Sequence, residues 1–204
     1  MVLGNKEFTK GLGEKYKLNL KILDSTEEFL DKMEKDVVCA ELGVFKGENA
    51  VRIIKNSNPK ELHLIDVYWK EHGEYYPDWG EYTYYGKLKT RDAYNLAQDN
   101  VKEVDEKNVT TFHVGKSEEV LEEFEDSYFD WIYLDTTHLY GETVIELEII
   151  KNKVKDGGII AGHDYCKEYG GVIRAVNEFC IKYNYELIFL TNEEYPSWAI
   201  KEMK

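Results

Sequence analysis

Four side chains that can bind metals or carry protons follow two apolar segments of the chain. Asp135 comes directly after the run F-D-W-I-Y-L, and His138 lies three residues further on. His163 and Asp164 follow the run G-G-I-I-A-G. Apolar runs of this length are typical of buried parallel strands, whose carboxyl ends meet at one edge of a sheet. Two carboxylates with an imidazole can hold a divalent cation there. In the structural alternative, the aspartates cap the segments that follow and His163 is a satisfied core residue.

A second group of candidate residues precedes these and has the form of a ligand-binding loop. The run V-V-C-A ends in Glu41, and Gly43 and Gly47 follow it. A helical pattern then leads to a second apolar run, L-H-L-I, which ends in Asp66. Glycine lets the backbone turn tightly and lets a helix begin close to a ligand. Asp66 lies about 20 residues after the loop, where a nucleoside-binding fold places an acid that accepts from ribose hydroxyls.

The spacing of the glycines distinguishes between ligands. A dinucleotide-binding loop has the pattern G-x-G-x-x-G, whose bare amides hold a pyrophosphate. Here the pattern is E-x-G-x-x-x-G. Glu41 would repel a pyrophosphate, and it suits a ligand that carries an ammonium and a sulfonium group. The pattern therefore favours a cationic nucleoside-type ligand over a nicotinamide dinucleotide, with an ordinary strand–loop–helix turn as the alternative.

These segments together resemble the class I S-adenosylmethionine-dependent methyltransferases. E-L-G-V-F-K-G followed by L-I-D resembles their first two motifs. L-D-T-T-H, D-G-G-I-I-A-G-H-D-Y and G-V-I-R-A-V-N-E-F resemble the branch of macrocin-type sugar O-methyltransferases and cephalosporin-hydroxylase-like proteins, so that the likeness covers roughly residues 36 to 190. It implies S-adenosylmethionine as cofactor and methyl transfer to a small hydroxylated molecule, a sugar or an aromatic compound. The alternative is a module that binds this cofactor, has lost catalysis and acts through protein interactions.

The resemblance also implies roles for individual residues. In the resembled branch the metal ligands match Asp135 and an acidic pair, which here reads His163-Asp164, so that one acid is replaced. Mg or Mn is the implied cation, and an imidazole ligand would shift the preference from magnesium towards manganese, iron or zinc. His138 matches the general base, a role that suits imidazole, and Asp135 is the second catalytic residue. The cofactor would contact the glycine loop and the ends of the later strands: Glu41, Gly43, Phe45, Gly47, Asn49, Asp66, Val67, Lys116, Ser117 and Asp135.

The hydrophobic periodicity predicts the elements that position these residues. Ser25 is a predicted N-cap, and Ser117 is a second one for a helix over 118–124. Strands are predicted at 37–41, 62–65, 109–114, 129–134, 157–161, 185–190 and 198–200, with helices at 87–104, 140–154 and 171–183. The predicted fold is α/β: a Rossmann-like, seven-stranded, mostly parallel sheet with helices on both faces and an antiparallel hairpin at one edge.

One domain is expected to span 1–204, with a helical arm at 1–35 and an aromatic insertion at 68–86. Eight of the eighteen residues from Tyr68 to Tyr85 are Tyr or Trp. Such a segment suits either a lid over a substrate or a contact between subunits, and so a homodimer is one arrangement that it would support.

Charge and composition limit the partners. The net charge is -14 and the pI is near 4.9. Binding to a phosphate backbone needs many Lys and Arg contacts, so nucleic acid is not expected as a partner. No apolar run approaches the roughly 20 residues that span a bilayer, and the N-terminus does not have the pattern of a secretory signal. The three cysteines are scattered without a C-x-x-C pair, which favours a reducing cytoplasm.

Overall fold

One mixed sheet of eight strands forms the centre of the computed structural model, which describes residues 20–72 and 88–203. The strand order across the sheet is β1-β7-β8-β6-β5-β2-β3-β4. The strands are β1 (Lys21–Leu23), β2 (Val38–Leu42), β3 (Glu61–Asp66), β4 (Thr110–Val114), β5 (Phe129–Leu134), β6 (Val154–Gly162), β7 (Tyr185–Thr191) and β8 (Trp198–Glu202).

Seven helices in the described residues connect or flank these strands. Ser25 caps the first of them as predicted, because its side chain accepts a hydrogen bond from the Glu28 amide at 3.2 Å. The helices are α1 (Thr26–Lys32), α2 (Glu48–Ser57), α3 (Trp69–His72), α4 (Thr90–Lys102), α5 (Ser117–Leu121), α6 (Tyr140–Lys153) and α7 (Gly170–Tyr183).

The helices cover both faces of the sheet, as the sequence predicts. Apolar side chains of α1, α2 and α4 form one buried cluster with residues such as Leu64 and Trp131. Those of α5, α6 and α7 form a second cluster with residues such as Ile65 and Ile132. Because successive strand residues point to opposite faces, a strand between two helix layers must be apolar throughout. This explains the continuous apolar runs in β3 and β5.

The chain reverses its direction of progress across the sheet between β2 and β5. β2 pairs in parallel with both β3 and β5, β4 extends the sheet beyond β3, and β6 extends it beyond β5. Helices that follow strands on either side of such a switch point diverge, and a crevice is left at the carboxyl ends of the two strands. The residues after β2 and β5 therefore meet at this point.

The Rossmann-like fold class is confirmed, with corrections to its edge. The sheet has eight strands rather than seven, because Lys21–Leu23 pairs in parallel with β7 instead of continuing a helical arm. The antiparallel hairpin of β7 and β8 consequently lies inside the sheet, with β8 between β6 and β7. β1 provides hydrogen-bond partners for backbone groups of β7 that would otherwise be unpaired at the sheet edge. A strand of three residues is too short to be recognised from hydrophobic periodicity.

Parts of two predictions lie outside the described residues. These are residues 1–19 of the predicted arm and residues 73–87, which contain most of the predicted aromatic insertion. The start of the insertion is described: Tyr68 is buried, and its hydroxyl donates to the Phe45 carbonyl at 2.9 Å. No helix within 20–72 or 88–203 combines the length and the apolar character that crossing a membrane requires.

Candidate active site

The glycine loop after β2 lies directly against the end of β5. Gly43 has a φ of +85°, and a Cβ atom built on it would lie 1.8 Å from the carbonyl oxygen of Asp135. The Asp135 amide in turn donates to the Leu42 carbonyl at 2.7 Å. Only glycine combines this backbone conformation with so close an approach. Gly43 therefore joins the two halves of the sheet at the switch point.

Glu41 is buried at the floor of this crevice with one oxygen unsatisfied. Glu41 is 1% exposed, and its Oε1 accepts a hydrogen bond from Nδ2 of Asn49 at 2.9 Å. Oε2 has no hydrogen-bond partner among the described residues. Burial raises the pKa of Glu41 well above its usual value, and the charges of Asp135 and Asp66 add to this effect against the hydrogen bond from Asn49. A buried acid with a free oxygen is suited to a cationic ligand group.

Asp66 holds the backbone of the glycine loop. Its Oδ2 accepts from the amides of Val44 at 2.8 Å and Phe45 at 2.7 Å, and its Oδ1 accepts from the Tyr68 amide at 3.2 Å. Val67 lies between Asp66 and Tyr68 in the chain, and its carbonyl accepts a hydrogen bond from the Lys70 amide. The carboxylate thus fixes the loop around Phe45, whose φ is +49°. The sequence did not indicate this role, and the contact of Asp66 with a ribose remains a prediction.

The start of α2 lies close to α4. Gly47, with a φ of +76°, is the N-cap of α2, and a Cβ there would come within 3.1 Å of backbone atoms of Ala97. The side chain of Asn49, the second residue of α2, reaches back to Glu41 as described above. Gly43 and Asn49 therefore border the crevice in which the sequence predicts a cofactor, whereas the close neighbour of Gly47 is α4.

Lys116 and Ser117 follow β4 at the same edge, but the predicted cap is wrong by one residue. Lys116 is the N-cap of α5, and no side chain caps the helix there. Ser117 is already inside α5, where it is buried and its hydroxyl hydrogen-bonds the carboxylate of Glu146. A serine at the start of a helix serves as a cap only if its own backbone is extended, and here the extended residue is Lys116.

Glu146 is a buried acid that the sequence analysis missed. It lies on α6, and its Oε2 accepts from the Thr136 hydroxyl at 2.7 Å. Its second hydroxyl partner is Ser117, so the side chain links the segment after β4 to the segment after β5. Burial raises the pKa of Glu146 to about 7, although both hydrogen bonds act in the opposite direction. A signal was present, because Glu146 stands between Thr143, Leu147 and Ile150 on the buried face of α6.

The four predicted acid and histidine residues form one cluster beyond β5 and β6. Nε2 of His138 lies 2.7 Å from Oδ2 of Asp164 and 3.3 Å from Oδ1 of Asp135. Nδ1 of His163 lies 3.3 Å from Oδ1 of Asp164 and 3.8 Å from Oδ2 of Asp135. The His163 amide also continues the pairing of β5 and β6 by donating to the Leu134 carbonyl. The structure therefore brings together all four residues that the sequence marked.

Mutual contacts fix the charges in this cluster. Burial lowers the pKa of His138, but hydrogen bonds to Asp135 and Asp164 outweigh it and raise the pKa to about 10. Burial raises the pKa of Asp164, but hydrogen bonds and charges of His138 and His163 outweigh this effect and lower the pKa to about 2. Burial also lowers the pKa of His163, but Asp164 and Asp135 outweigh this effect, so that the pKa lies above its usual value. The hydrogen bonds of His138 to both acids therefore favour its protonated form.

One subset of the cluster has the spacing of a metal site. Donor atoms of Asp135, His138 and Asp164 all lie within 4.8 Å of one another, and no other group of three acids, cysteines or histidines within 20–72 and 88–203 does so. The predicted trio contained His163 in place of His138. Both His138 and Asp164 have positive φ values, +62° and +63°. Residues other than glycine rarely adopt this backbone conformation, and such residues are often found at functional sites.

Comparison with known proteins decides the family. A family model described as a methyltransferase domain matches residues 40–165, which is more than half of the chain and runs from β2 to the residue after Asp164. The chain belongs to this methyltransferase family. The matched part contains the glycine loop, Asp66, Glu146 and the acid and histidine cluster. The protein is therefore an S-adenosylmethionine-dependent methyltransferase, and the enzyme and cofactor predictions are confirmed at this level.

Solved structures show that the methyltransferase shares its fold with distant relatives. A precorrin-6y C5,15-methyltransferase from Geobacter metallireducens is 11% identical, with a TM-score of 0.58 over 87% of this chain and 85% of that one. A tRNA methyltransferase from B. subtilis is 12% identical, with a TM-score of 0.57 over 89% and 67%. A Streptococcus mutans protein assigned as a methyltransferase, solved in complex with SAH, is 14% identical, with a TM-score of 0.56 over 87% and 96%. No curated protein sequence matches the chain significantly.

Proposed function

We propose that this methyltransferase transfers the methyl group of S-adenosylmethionine to a hydroxyl group of a small molecule, a sugar or an aromatic compound, as in the macrocin-type branch. The observation that carries the proposal is the cluster of Asp135, His138 and Asp164 at the switch point, next to the glycine loop. A cluster of this kind can orient an acceptor hydroxyl and take up its proton.

The residues around the glycine loop fit the cofactor. S-adenosylmethionine, when bound, supplies an electrophilic methyl group on a positively charged sulfur. Glu41 offers a buried carboxyl oxygen without a partner among the described residues, which suits the ammonium of the amino acid end. Asp66 keeps the loop in shape through the Val44 and Phe45 amides. Lys116 and Ser117 lie at the end of β4, on the side predicted for the adenine.

His138 has to lose a proton before it can act as a base. The acceptor oxygen forms its bond to the methyl carbon while the sulfur–carbon bond breaks, and the hydroxyl proton must then leave. The hydrogen bonds to Asp135 and Asp164 raise the pKa of His138 and favour its protonated form, which has no free nitrogen to accept that proton. We therefore propose that His138 becomes the base only when the negative charge of Asp135 and Asp164 is taken up by another partner.

A divalent cation is one such partner, and the donor set fits it. Asp135 and Asp164 would each offer a carboxylate oxygen, with His138 or His163 as the third donor. The cation would supply positive charge that lowers the pKa of a bound hydroxyl. Nε2 is the His138 nitrogen that faces both carboxylates, so the same ring cannot be ligand and base together. The donor atoms of Asp135, Asp164 and His163 are spaced more widely than those of the set with His138, so they would have to close around the cation. We favour His163 as the ligand because this leaves His138 as the base, and an imidazole ligand points to manganese rather than magnesium.

Calorimetry and turnover test the proposal in two steps. S-adenosylmethionine and S-adenosylhomocysteine should bind and NAD should not; tight binding of NAD alone would sink the proposal. Asp135→Asn and Asp164→Asn should abolish turnover of a catechol or glycoside acceptor, whereas Asp156→Asn, an exposed change on β6, should not. His138→Ala should reduce the rate by about 10²–10⁴-fold. Full activity in excess chelator would exclude a cation from the mechanism. A loss of rate below about tenfold in His138→Ala would exclude His138 as the base.

The remaining expectations about partners and location are also proposals. A net charge of -14 supports a small-molecule acceptor over nucleic acid. Cys39, Cys166 and Cys180 are free thiols, which supports a cytoplasmic location. A homodimer is the proposed assembly, and size-exclusion chromatography with light scattering would test it.

A further inference from the structure

Three aromatic rings lead from the acid and histidine cluster to the surface. The imidazole of His138 lies against the ring of Tyr169, with centroids 4.4 Å apart and planes inclined by 35°. The ring of Tyr169 is followed by that of Tyr195 at 6.1 Å. Tyr195 is 41% exposed. The row therefore begins at the proposed reaction centre and ends in solvent, and none of the proposed steps uses its two tyrosines.

The two tyrosines come from separate segments that are fixed to each other. Tyr169 is the N-cap of α7, and Tyr195 lies in the connection between β7 and β8. The Tyr165 amide donates to the Pro196 carbonyl at 3.1 Å, and Nε1 of Trp198 donates to the His163 carbonyl at 2.9 Å. These bonds hold the β7–β8 connection against the residues that follow β6. The row is thus part of the folded frame, as an acceptor-binding surface must be for accurate positioning.

The charges that act on the outer ring are negative. Glu194 and Glu168 are exposed and directly precede Tyr195 and Tyr169 in the chain. Glu194 raises the pKa of Tyr195 most, and Glu168 and Asp164 act in the same direction. An acceptor that carries a carboxylate or a phosphate would be repelled here. A cationic group would be attracted both by these acids and by the ring faces.

We propose that Tyr169 and Tyr195 bind the methyl acceptor through their ring faces, and that this acceptor is an aromatic alcohol or phenol that is uncharged or cationic. This inference rests on the proposed function, since it takes the cluster of Asp135, His138 and Asp164 as the place of methyl transfer. Stacking on the tyrosines would direct the acceptor hydroxyl towards that cluster. The surface selects against anionic acceptors, nucleic acids among them.

Three catechols whose ring substituent is cationic, neutral or anionic test the proposal. The probes are 3,4-dihydroxybenzylamine, 4-methylcatechol and 3,4-dihydroxybenzoate, with methyl glucoside as a saturated ring. Binding to the full chain with S-adenosylhomocysteine present is measured by saturation-transfer NMR titration. The cationic and neutral catechols should bind about tenfold more tightly than the anionic one. Tyr195→Ala should weaken their binding by about three- to tenfold, and Tyr195→Phe should restore it.

Controls separate this inference from the proposed function. Ile181→Ala, a change at an 84% exposed residue on α7, should leave every dissociation constant unchanged. Failure of S-adenosylhomocysteine to bind would count against the proposed function itself. If S-adenosylhomocysteine binds normally, four results would overturn the inference and leave the proposed function intact. These are that no catechol binds, that only the glucoside binds, that the anionic catechol binds equally well, or that Tyr195→Ala binds the catechols like the wild type.

Discussion

Replacement of Gly43 by alanine should damage stability and cofactor binding together. The new methyl group would stand 1.8 Å from the carbonyl oxygen of Asp135, at a backbone φ of +85°. Asp135 belongs to the proposed reaction centre, so a clash at this point acts on both sides of the crevice. No flexible side chain can relieve it, because the opposing atoms are backbone.

The magnitude follows from two separate costs. A residue with a Cβ in the left-handed region costs about 1–2 kcal/mol, and overpacking at a buried contact typically costs about 1–3 kcal/mol. The free energy of unfolding should therefore fall by about 2–5 kcal/mol. Ordinary contact begins at 3.4 Å, so the Asp135 carbonyl would also have to move by about 1.6 Å. A displacement of about 1 Å can already cost about 100-fold in rate.

The matched control is Gly141→Ala. Gly141 lies in α6, and nothing is within 4 Å of the position that its Cβ would take. Alanine there should raise the free energy of unfolding by about 0.5–1 kcal/mol, because it restricts the unfolded chain. Urea denaturation measures stability, and calorimetry with S-adenosylhomocysteine measures the site. A Gly43→Ala protein with the stability of the wild type would refute the backbone geometry, and a destabilised one with unchanged affinity would place the cofactor elsewhere.

Two further predictions concern buried titratable groups. Because burial raises the pKa of Glu146 to about 7, its folded state keeps a proton that the unfolded chain loses near pH 4.5, and stability should fall as the pH rises between these values. Glu146→Gln should thus be more stable than wild type at pH 8 by about 1–3 kcal/mol, and lower stability in urea denaturation at pH 8 would contradict this. Burial lowers the pKa of both His63 and His113, whose ring nitrogens lie 3.0 Å apart, so stability should decline as the pH falls below about 6.5, by up to about 1 kcal/mol per unit, and His63→Phe should flatten that slope in thermal unfolding between pH 5 and 7.5.

The individual strands and helices were largely readable from the sequence. β5 begins and ends where the apolar run does, and the helices predicted at 140–154 and 171–183 match α6 and α7 to within one residue at each end. Local pattern is sufficient here because a strand buried on both faces must be apolar throughout, and a helix packed on one side must repeat at its own period. β1 escaped notice because its three residues gain their structure only from pairing with β7.

The sequence by itself also determined most of the residues that line the crevice. Glycines between two strands, acids at strand ends and histidines beside acids mark the crevice, because strand ends are where parallel sheets place ligands. The sequence could not supply the partners of these side chains, since a carboxylate binds whatever donor the fold brings within reach. Asp66 holds the loop amides, and His138 pairs with Asp164, which lies 26 residues further along the chain, just after β6.

Only the tertiary structure decided the roles of Gly43, Glu146 and the tyrosine row. Gly43 lies 92 residues before Asp135, and no local pattern shows that their backbones touch. Glu146 joins the segments after two strands, and Tyr169 meets Tyr195 only because β8 inserts beside β6. Local sequence specifies each element through its own periodicity, whereas contacts between distant elements depend on how the sheet is assembled, and it is these contacts that set the charge and shape of the site.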